Sequence, residues 1–163
     1  QAAREYSGLA HRCEWVAVVN DVDFYNDSKG TNTGAAIVAI NSFAADYSEK
    51  RVILIAGGVA KDADFSVLGD VIAQQVKHTI LLGIDAVQIN DAALNAGVDN
   101  NSITSVDSMQ TALLEACNVS LPGDVVLLSP ACASFDLYQN YRQRGDDFKQ
   151  LVHRLKAGII YVS

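Results

Sequence analysis

Val52-Ile53-Leu54-Ile55-Ala56 is a run of five apolar residues without polar alternation, and it ends on Gly57-Gly58. A strand wetted on one face alternates apolar and polar residues. A run this continuous must be covered on both faces, which is the situation of an inner strand in a parallel sheet. Val125-Val126-Leu127-Leu128 repeats the pattern and ends on Ser129-Pro130. Strands of this kind, separated by segments with helical spacing, restrict the chain to α/β architectures with helices on both faces. With 163 residues, 50% of them hydrophobic, the chain can bury such a core as a single Rossmann-like domain.

The remaining elements complete a mainly parallel sheet. Residues 1–10 are polar, with Gly8 breaking any helix begun at 2–6, and read as a linker from a preceding domain. Residues 15–19 and 22–25 are strand-like and flank Asn20-Asp21, a two-residue turn signal, so an antiparallel hairpin is expected at one side. Helical spacing follows over 35–47, with Ile37, Ile40, Ala44 and Tyr47 on one face, and again around Val67, Leu68, Val71 and Ile72. A strand at 79–82, a helix over 86–96 closed by Gly97, and a short strand at 103–106 come next. Asp107 is the expected N-cap of the following helix, with Gln110 reaching back and Met109, Ala112, Leu113 and Ala116 on its buried face. After the strand at 125–128, Ser134 or Asp136 is expected to cap a helical segment that contains Tyr138, Tyr141 and Phe148 and breaks near Gly145. Residues 159–162 suit either an edge strand or the end of the last helix.

The formal net charge of −7 argues against a broad nucleic-acid or polyanion face, which needs an excess of Lys and Arg. A small anionic ligand needs only a few local cations. Cys13, Cys117 and Cys132 are an odd set without metal-ligand spacing, no metal site is expected, and the count suits a reducing compartment. No charged segment leading into an apolar one opens the chain, and no apolar run approaches the roughly 20 residues that span a bilayer. These features point to a soluble, cytoplasmic domain, without membrane or nucleic-acid partners, cut from something longer. Neither GxGxxG nor GxxxxGK[ST] occurs, so dinucleotide and phosphate-loop fingerprints do not apply.

Three polar turns, at 27–32, 57–64 and 129–136, follow strands whose carboxyl ends share one rim of a parallel sheet, where ligands of open α/β sheets bind. Asp27, Lys29, Thr31, Lys61, Ser134 and the N–H groups of a helix start could converge there on an anion. The same residues also suit plain helix-capping turns: Thr31 or Asn32 as cap, Gly30 and Gly34 relaxing the backbone, and the lysines solvated. Cys132 reads as a small buried thiol rather than a nucleophile, because no histidine stands in a comparable turn: His11 precedes the first strand, His78 an inner strand, and His153 lies on the last helix.

Taken in order, His11-Arg12, Asn26-Asp27-Ser28-Lys29-Gly30-Thr31-Asn32, Lys61 with Ala63-Asp64-Phe65, Val106-Asp107-Ser108-Met109, the stretch from Pro122 to Asp136 containing Ser129-Pro130-Ala131-Cys132-Ala133-Ser134, and Asn140-Tyr141 with Arg144-Gly145 resemble the carboxy-terminal domain of the Mur ligases of peptidoglycan synthesis, specifically those that add D-glutamate. The resemblance implies an ATP-dependent amide-bond ligase. ATP would phosphorylate the carboxylate of UDP-N-acetylmuramoyl-L-alanine, and the amine of D-glutamate would attack the acyl phosphate. It further implies that ATP and Mg2+ are held mainly by a central domain, over which this domain closes, with an amino-terminal domain for the uridine nucleotide. Carried across residue by residue, Arg12 would approach the ATP phosphates and Asp27 the ribose. Lys29, Thr31, Lys61, Ser134, the Phe135 backbone and Tyr141 would bind D-glutamate, and no residue is assigned proton chemistry. The domain would span 11–157, with 158–163 as a tail. Gly30 and Val59-Ala60 depart from the family's commoner Ala and Asp-Gly, and Tyr141 stands where Phe is also found. Lacking a phosphate loop and a central-domain lysine, these 163 residues alone are not expected to catalyse the reaction. A non-catalytic α/β binding or interaction module on the same scaffold is the alternative.

Overall fold

The hairpin forms as its turn chemistry dictates. β1 (Glu14–Val19) and β2 (Val22–Asn26) pair antiparallel, and Asn20 and Asp21 both adopt positive φ, 51° and 61°, as a two-residue turn matched to the strand twist requires. The chain then alternates: α1 (Thr33–Ala44), β3 (Val52–Ala56), α2 (Ser66–Gln75), β4 (Val76–Leu81), α3 (Ala86–Asn95), β5 (Ile103–Ser105), α4 (Met109–Val119), β6 (Val125–Leu128) and α5 (Tyr141–Lys156). The structure, a computed structural model, describes residues 9–160. The helix considered at 2–6, most of the proposed linker, and residues 161–163 of the tail lie outside the described residues.

One six-stranded sheet has the order β1-β2-β6-β3-β4-β5, with every neighbouring pair parallel except β1 and β2. The expected mixed, mainly parallel α/β sheet is what forms. All five β3 residues are 0% exposed, because successive side chains point to opposite faces and both faces are covered. Leu54, Ala56, Leu127 and Tyr25 pack with Ile40 of α1, Leu68 and Ile72 of α2 and Ile89 of α3. Ile53, Ile55, Val126, Leu128 and Phe24 pack on the other face with Leu113 of α4 and Phe148 and Val152 of α5. Each such buried side chain contributes about 1.5–3 kcal/mol relative to exposure, so the apolar strands tie both helical layers to one core.

This arrangement creates the crevice. The neighbouring strands β3 and β6 send their following helices to opposite faces, α2 to one and α5 to the other. Their loops part at the carboxyl ends, which defines a topological switch point.

Several local expectations are corrected. The cap of α4 is Ser108, not Asp107: Ser108 is extended and its hydroxyl accepts the Thr111 N–H at 3.1 Å, so the helix begins one residue later than a cap at Asp107 requires. Neither Ser134 nor Asp136 caps a helix. The Ser134 carbonyl accepts from the Leu137 and Tyr138 N–H groups in a turn, the Asp136 carboxylate accepts the Ile84 N–H at 2.9 Å, and α5 starts only after Asn140, whose side chain accepts from Gln143. Gly145 does not break α5, which runs unbroken through it. The first helix is shifted toward the chain start because Asn32 caps it, accepting the Ala35 N–H at 2.8 Å. Among the described residues no helix is long and apolar enough to cross a membrane.

Candidate functional site

The carboxyl ends of β2, β6 and β3 lie side by side, with Asn26 opposite Leu128 and Leu128 opposite Ile55. Main-chain hydrogen bonds then join the three loops that follow. The Asp27 N–H donates to Leu128 (2.7 Å), the Ala131 N–H to Gly30 (2.9 Å) and the Gly57 N–H to Pro130 (2.9 Å). Val59 and Ala133 exchange a pair of bonds as an antiparallel bridge. Glycine is required beside that bridge: Gly58 has φ 138°, and a Cβ there would stand 2.1 Å from the Ala133 carbonyl. The polar turns seen in the sequence therefore form one continuous rim.

Arg144, in the first turn of α5, bolts this rim from below. It is 4% exposed; its Nε donates to Ser28 Oγ (3.0 Å), Nη2 to the Ser28 carbonyl (2.8 Å) and Nη1 to the Cys132 carbonyl (3.1 Å). Ser28 Oγ in turn donates to the Tyr141 carbonyl at 2.7 Å. The fixed fork of a guanidinium suits three acceptors on two loops, while burial pulls its pKa down to about 10. Sequence reasoning quoted Arg144 within a motif but gave it no role. Its only local signal was an arginine beside a glycine one turn after an Asn cap.

Asp27 is buried and does not cap a helix. Its Oδ1 accepts the Cys13 N–H (3.1 Å) and its Oδ2 accepts the Ser129 hydroxyl (2.7 Å). Burial raises its pKa above the ordinary carboxylate value, opposed chiefly by the Ser129 hydrogen bond. Arg12, which precedes Cys13 in the chain, is exposed. His11, expected apart from the turns, lies against the first one. Its Nδ1 is 3.0 Å from Asn26 Nδ2, its ring meets the Tyr141 ring edge-on at 5.9 Å, its carbonyl accepts the Lys29 N–H, and its Nε2 is 3.6 Å from Asp146.

Above the bolt stand the cations. The Lys29 ammonium lies 5.8 Å from the Tyr141 ring centre and the Arg142 guanidinium 4.9 Å from the same ring. The Lys61 ammonium lies 5.4 Å from the Phe135 ring centre. Lys29 and Lys61 are both exposed, Thr31 is half-buried and Ser134 is 2% exposed. Ser134 lines a pocket at the switch point with Gly57, Gly58, Asp136, Tyr138 and Arg144. The first loop thus gathers Arg12, Asp27, Lys29, Thr31 and Tyr141, while the other two gather Lys61, Ser134 and Phe135. Such a rim can bind and neutralise a small anion. Cys132 is 1% exposed with its pKa pushed up to about 12 by burial, which fits the buried-thiol reading. Among the described residues no group of three His, Cys, Asp or Glu could hold a metal ion.

Comparison with known proteins gives concordant matches. The family model described as "Mur ligase, glutamate ligase domain" matches residues 11–132. UDP-N-acetylmuramoylalanine–D-glutamate ligase of Coxiella burnetii (strain Dugway 5J108-111) is 46% identical over 152 residues, 93% of this chain and 33% of that protein. The same-named protein of Pseudomonas fluorescens is 46% identical over 154 residues, 94% of this chain and 33% of its own length. The chain therefore spans about a third of the length of the curated relatives it matches. Among solved structures, a murein peptide ligase from Psychrobacter arcticus aligns with TM-score 0.58 at 16% identity, covering 94% of this chain and 31% of its own. A bifunctional folylpolyglutamate synthase/dihydrofolate synthase from Yersinia pestis, complexed with AMPPNP and Mn ion, aligns with TM-score 0.58 at 16% identity over 94% of this chain and 32% of its own. At such identities these two establish a shared fold.

Proposed function

Because this chain belongs to the Mur ligase glutamate ligase domain family, we propose that it is the carboxy-terminal, D-glutamate-binding domain of an ATP-dependent ligase that joins D-glutamate to UDP-N-acetylmuramoyl-L-alanine. The observation that supports the reading is the bonded rim: main-chain hydrogen bonds join the loops that follow three adjacent strands, and those loops carry Lys29, Lys61 and Ser134. D-Glutamate carries two carboxylates, and two ammonium groups from separate loops suit two anions. Thr31, the buried Ser134 hydroxyl, the Phe135 backbone and Tyr141 complete the pocket. The domain comprises 11–157, preceded by a linker at 1–10 and followed by a tail at 158–163.

The nucleotide fits this chain in part. Arg12 offers an exposed guanidinium to a phosphate. The Asp27 carboxylate accepts from Cys13 and from the Ser129 hydroxyl, and its two oxygens retain lone-pair capacity for a ribose hydroxyl. ATP when bound activates the acceptor carboxylate by phosphorylating it. The phosphate loop and the Mg2+ ligands belong to other parts of the full-length protein, so the isolated domain is inactive. Within it, the residues position and neutralise: Lys29 and Lys61 hold the D-glutamate carboxylates so that its amine faces the activated carbonyl, and Arg144 keeps the loops in register.

The test is Lys61→Ala in the full-length ligase. Losing a charge-assisted contact of about 1.5–3 kcal/mol should lower kcat/KM for D-glutamate at least about tenfold, leaving the KM for the uridine nucleotide in place. Unchanged D-glutamate kinetics would sink the assignment.

A further inference from the structure

We infer that the Phe135 ring, and not only its backbone, is a positioning element for the proposed D-glutamate site, holding the Lys61 ammonium at the rim before the ligand arrives. The inference rests on the functional reading above and adds a role for a side chain that reading does not use. Phe135 is 63% exposed, one of the more exposed large apolar side chains among the described residues, and it stands beside the buried Ser134 rather than in either core cluster. Core packing does not account for its place. Its ring faces a cation instead: Lys61 Nζ lies 5.4 Å from the ring centre, inside the range of about 6 Å over which a ring quadrupole attracts an ammonium.

The backbone keeps this pair together. Lys61 takes a left-handed φ of 46°, and its loop is tied by the Val59–Ala133 bridge to the segment that carries Phe135. The Asp85 carboxylate also accepts the Ala60 N–H at 2.8 Å, fixing the residue before Lys61. A lysine otherwise loses much side-chain freedom when it grips a ligand. Parking the ammonium over a ring reduces that loss and leaves its far side open to a carboxylate. The first loop repeats the device, since Lys29 lies over Tyr141. Both rings belong to the segment that runs from β6 into the first residue of α5, and both lysines come from other loops. The segment therefore presets the two cations that a dicarboxylate needs, and it favours acidic amino acids over neutral ones.

A double-mutant cycle in the full-length ligase tests this. Phe135→Leu keeps an apolar side chain but removes the quadrupole. It should raise the KM for D-glutamate roughly two- to fivefold, the factor expected of an exposed cation–ring contact, with a smaller effect on kcat. Phe135→Trp should restore the lower KM. In a Lys61→Ala background the same Phe135→Leu change should add little. If Phe135→Leu leaves KM unchanged while Lys61→Ala raises it, the ring inference fails and the functional reading stands. An equal Phe135→Leu effect with and without Lys61 also overturns the inference. If Lys61→Ala itself has no effect, the functional reading fails. The contact is then read separately, from the NMR shift of 13C-methylated Lys61, which must move on Phe135→Leu if the ring holds the ammonium.

Discussion

Replacing Gly145 with alanine sets two physical effects against each other. Gly145 sits inside α5, where helix propensity alone favours alanine by about 1 kcal/mol. On that ground the variant should gain stability. The tertiary contact says otherwise: a Cβ at 145 would stand 2.2 Å from His11 Nδ1 and 3.0 Å from Asn26 Nδ2. To reach ordinary contact at 3.4 Å or more, α5 or the imidazole must move by roughly 1 Å. His11 is 7% exposed, bonded to Asn26 and stacked edge-on against Tyr141, so it has little room to give. Overpacking of this kind costs about 1–3 kcal/mol, and loss of the His11–Asn26 bond adds about 1 kcal/mol. After subtracting the propensity gain, the net loss is about 1–3 kcal/mol, a fall in Tm of roughly 3–9 °C for a domain of this size. Thermal unfolding followed by circular dichroism measures it. Gly34→Ala is the control: its Cβ would meet only Asn32 Oδ1 at 3.4 Å, and Tm should hold or rise slightly. A Tm for Gly145→Ala at or above that of the parent would refute the packing argument.

Arg144→Lys should lower Tm by roughly 3–18 °C, because an ammonium cannot serve Ser28 Oγ, Ser28 O and Cys132 O together and leaves buried acceptors unpaired, at about 1–3 kcal/mol each for one or two of them; a Tm within 2 °C of the parent would discount the bolt. Asp27→Asn addresses pH. Burial raises the folded pKa of Asp27 above its unfolded value of 3.8, so the folded state binds this proton more tightly, and ionisation costs stability as pH rises through the window between the two values. The Tm difference between variant and parent should therefore favour the variant above that window and shrink as pH falls through it; a difference independent of pH would contradict the shift. Finally, Cys132 should resist a thiol reagent at pH 8 in the folded chain and react once guanidinium unfolds it, as a thiol with a pKa of about 12 and 1% exposure demands, and fast labelling in the folded state would overturn its placement.

What the amino-acid order settles by itself is the layered α/β fold. The unbroken apolar runs at 52–56 and 125–128 have only one comfortable environment, an inner strand covered on both faces, and Asn20-Asp21 suits the hairpin turn that makes the sheet mixed. Asn32 was legible as one of two candidate caps, beside Thr31, because capping is local. The three turns were legible as candidates, since any strand end followed by Gly, Ser, Lys and Asp invites the reading. Whether they met was not. That depended on β6 inserting between β2 and β3, a pairing between segments about a hundred residues apart that no local signal specifies. A separation of that order also hid Arg144 against Ser28 and the reason for Gly145 inside α5, whose Cβ space is taken by His11 and Asn26. Each is a contact between elements remote in sequence, created only when the sheet order brings α5 across the ends of β1 and β2. Periodicity and capping act over a few residues and can be read off the chain; buried polar partnerships belong to the packed arrangement and exist only there.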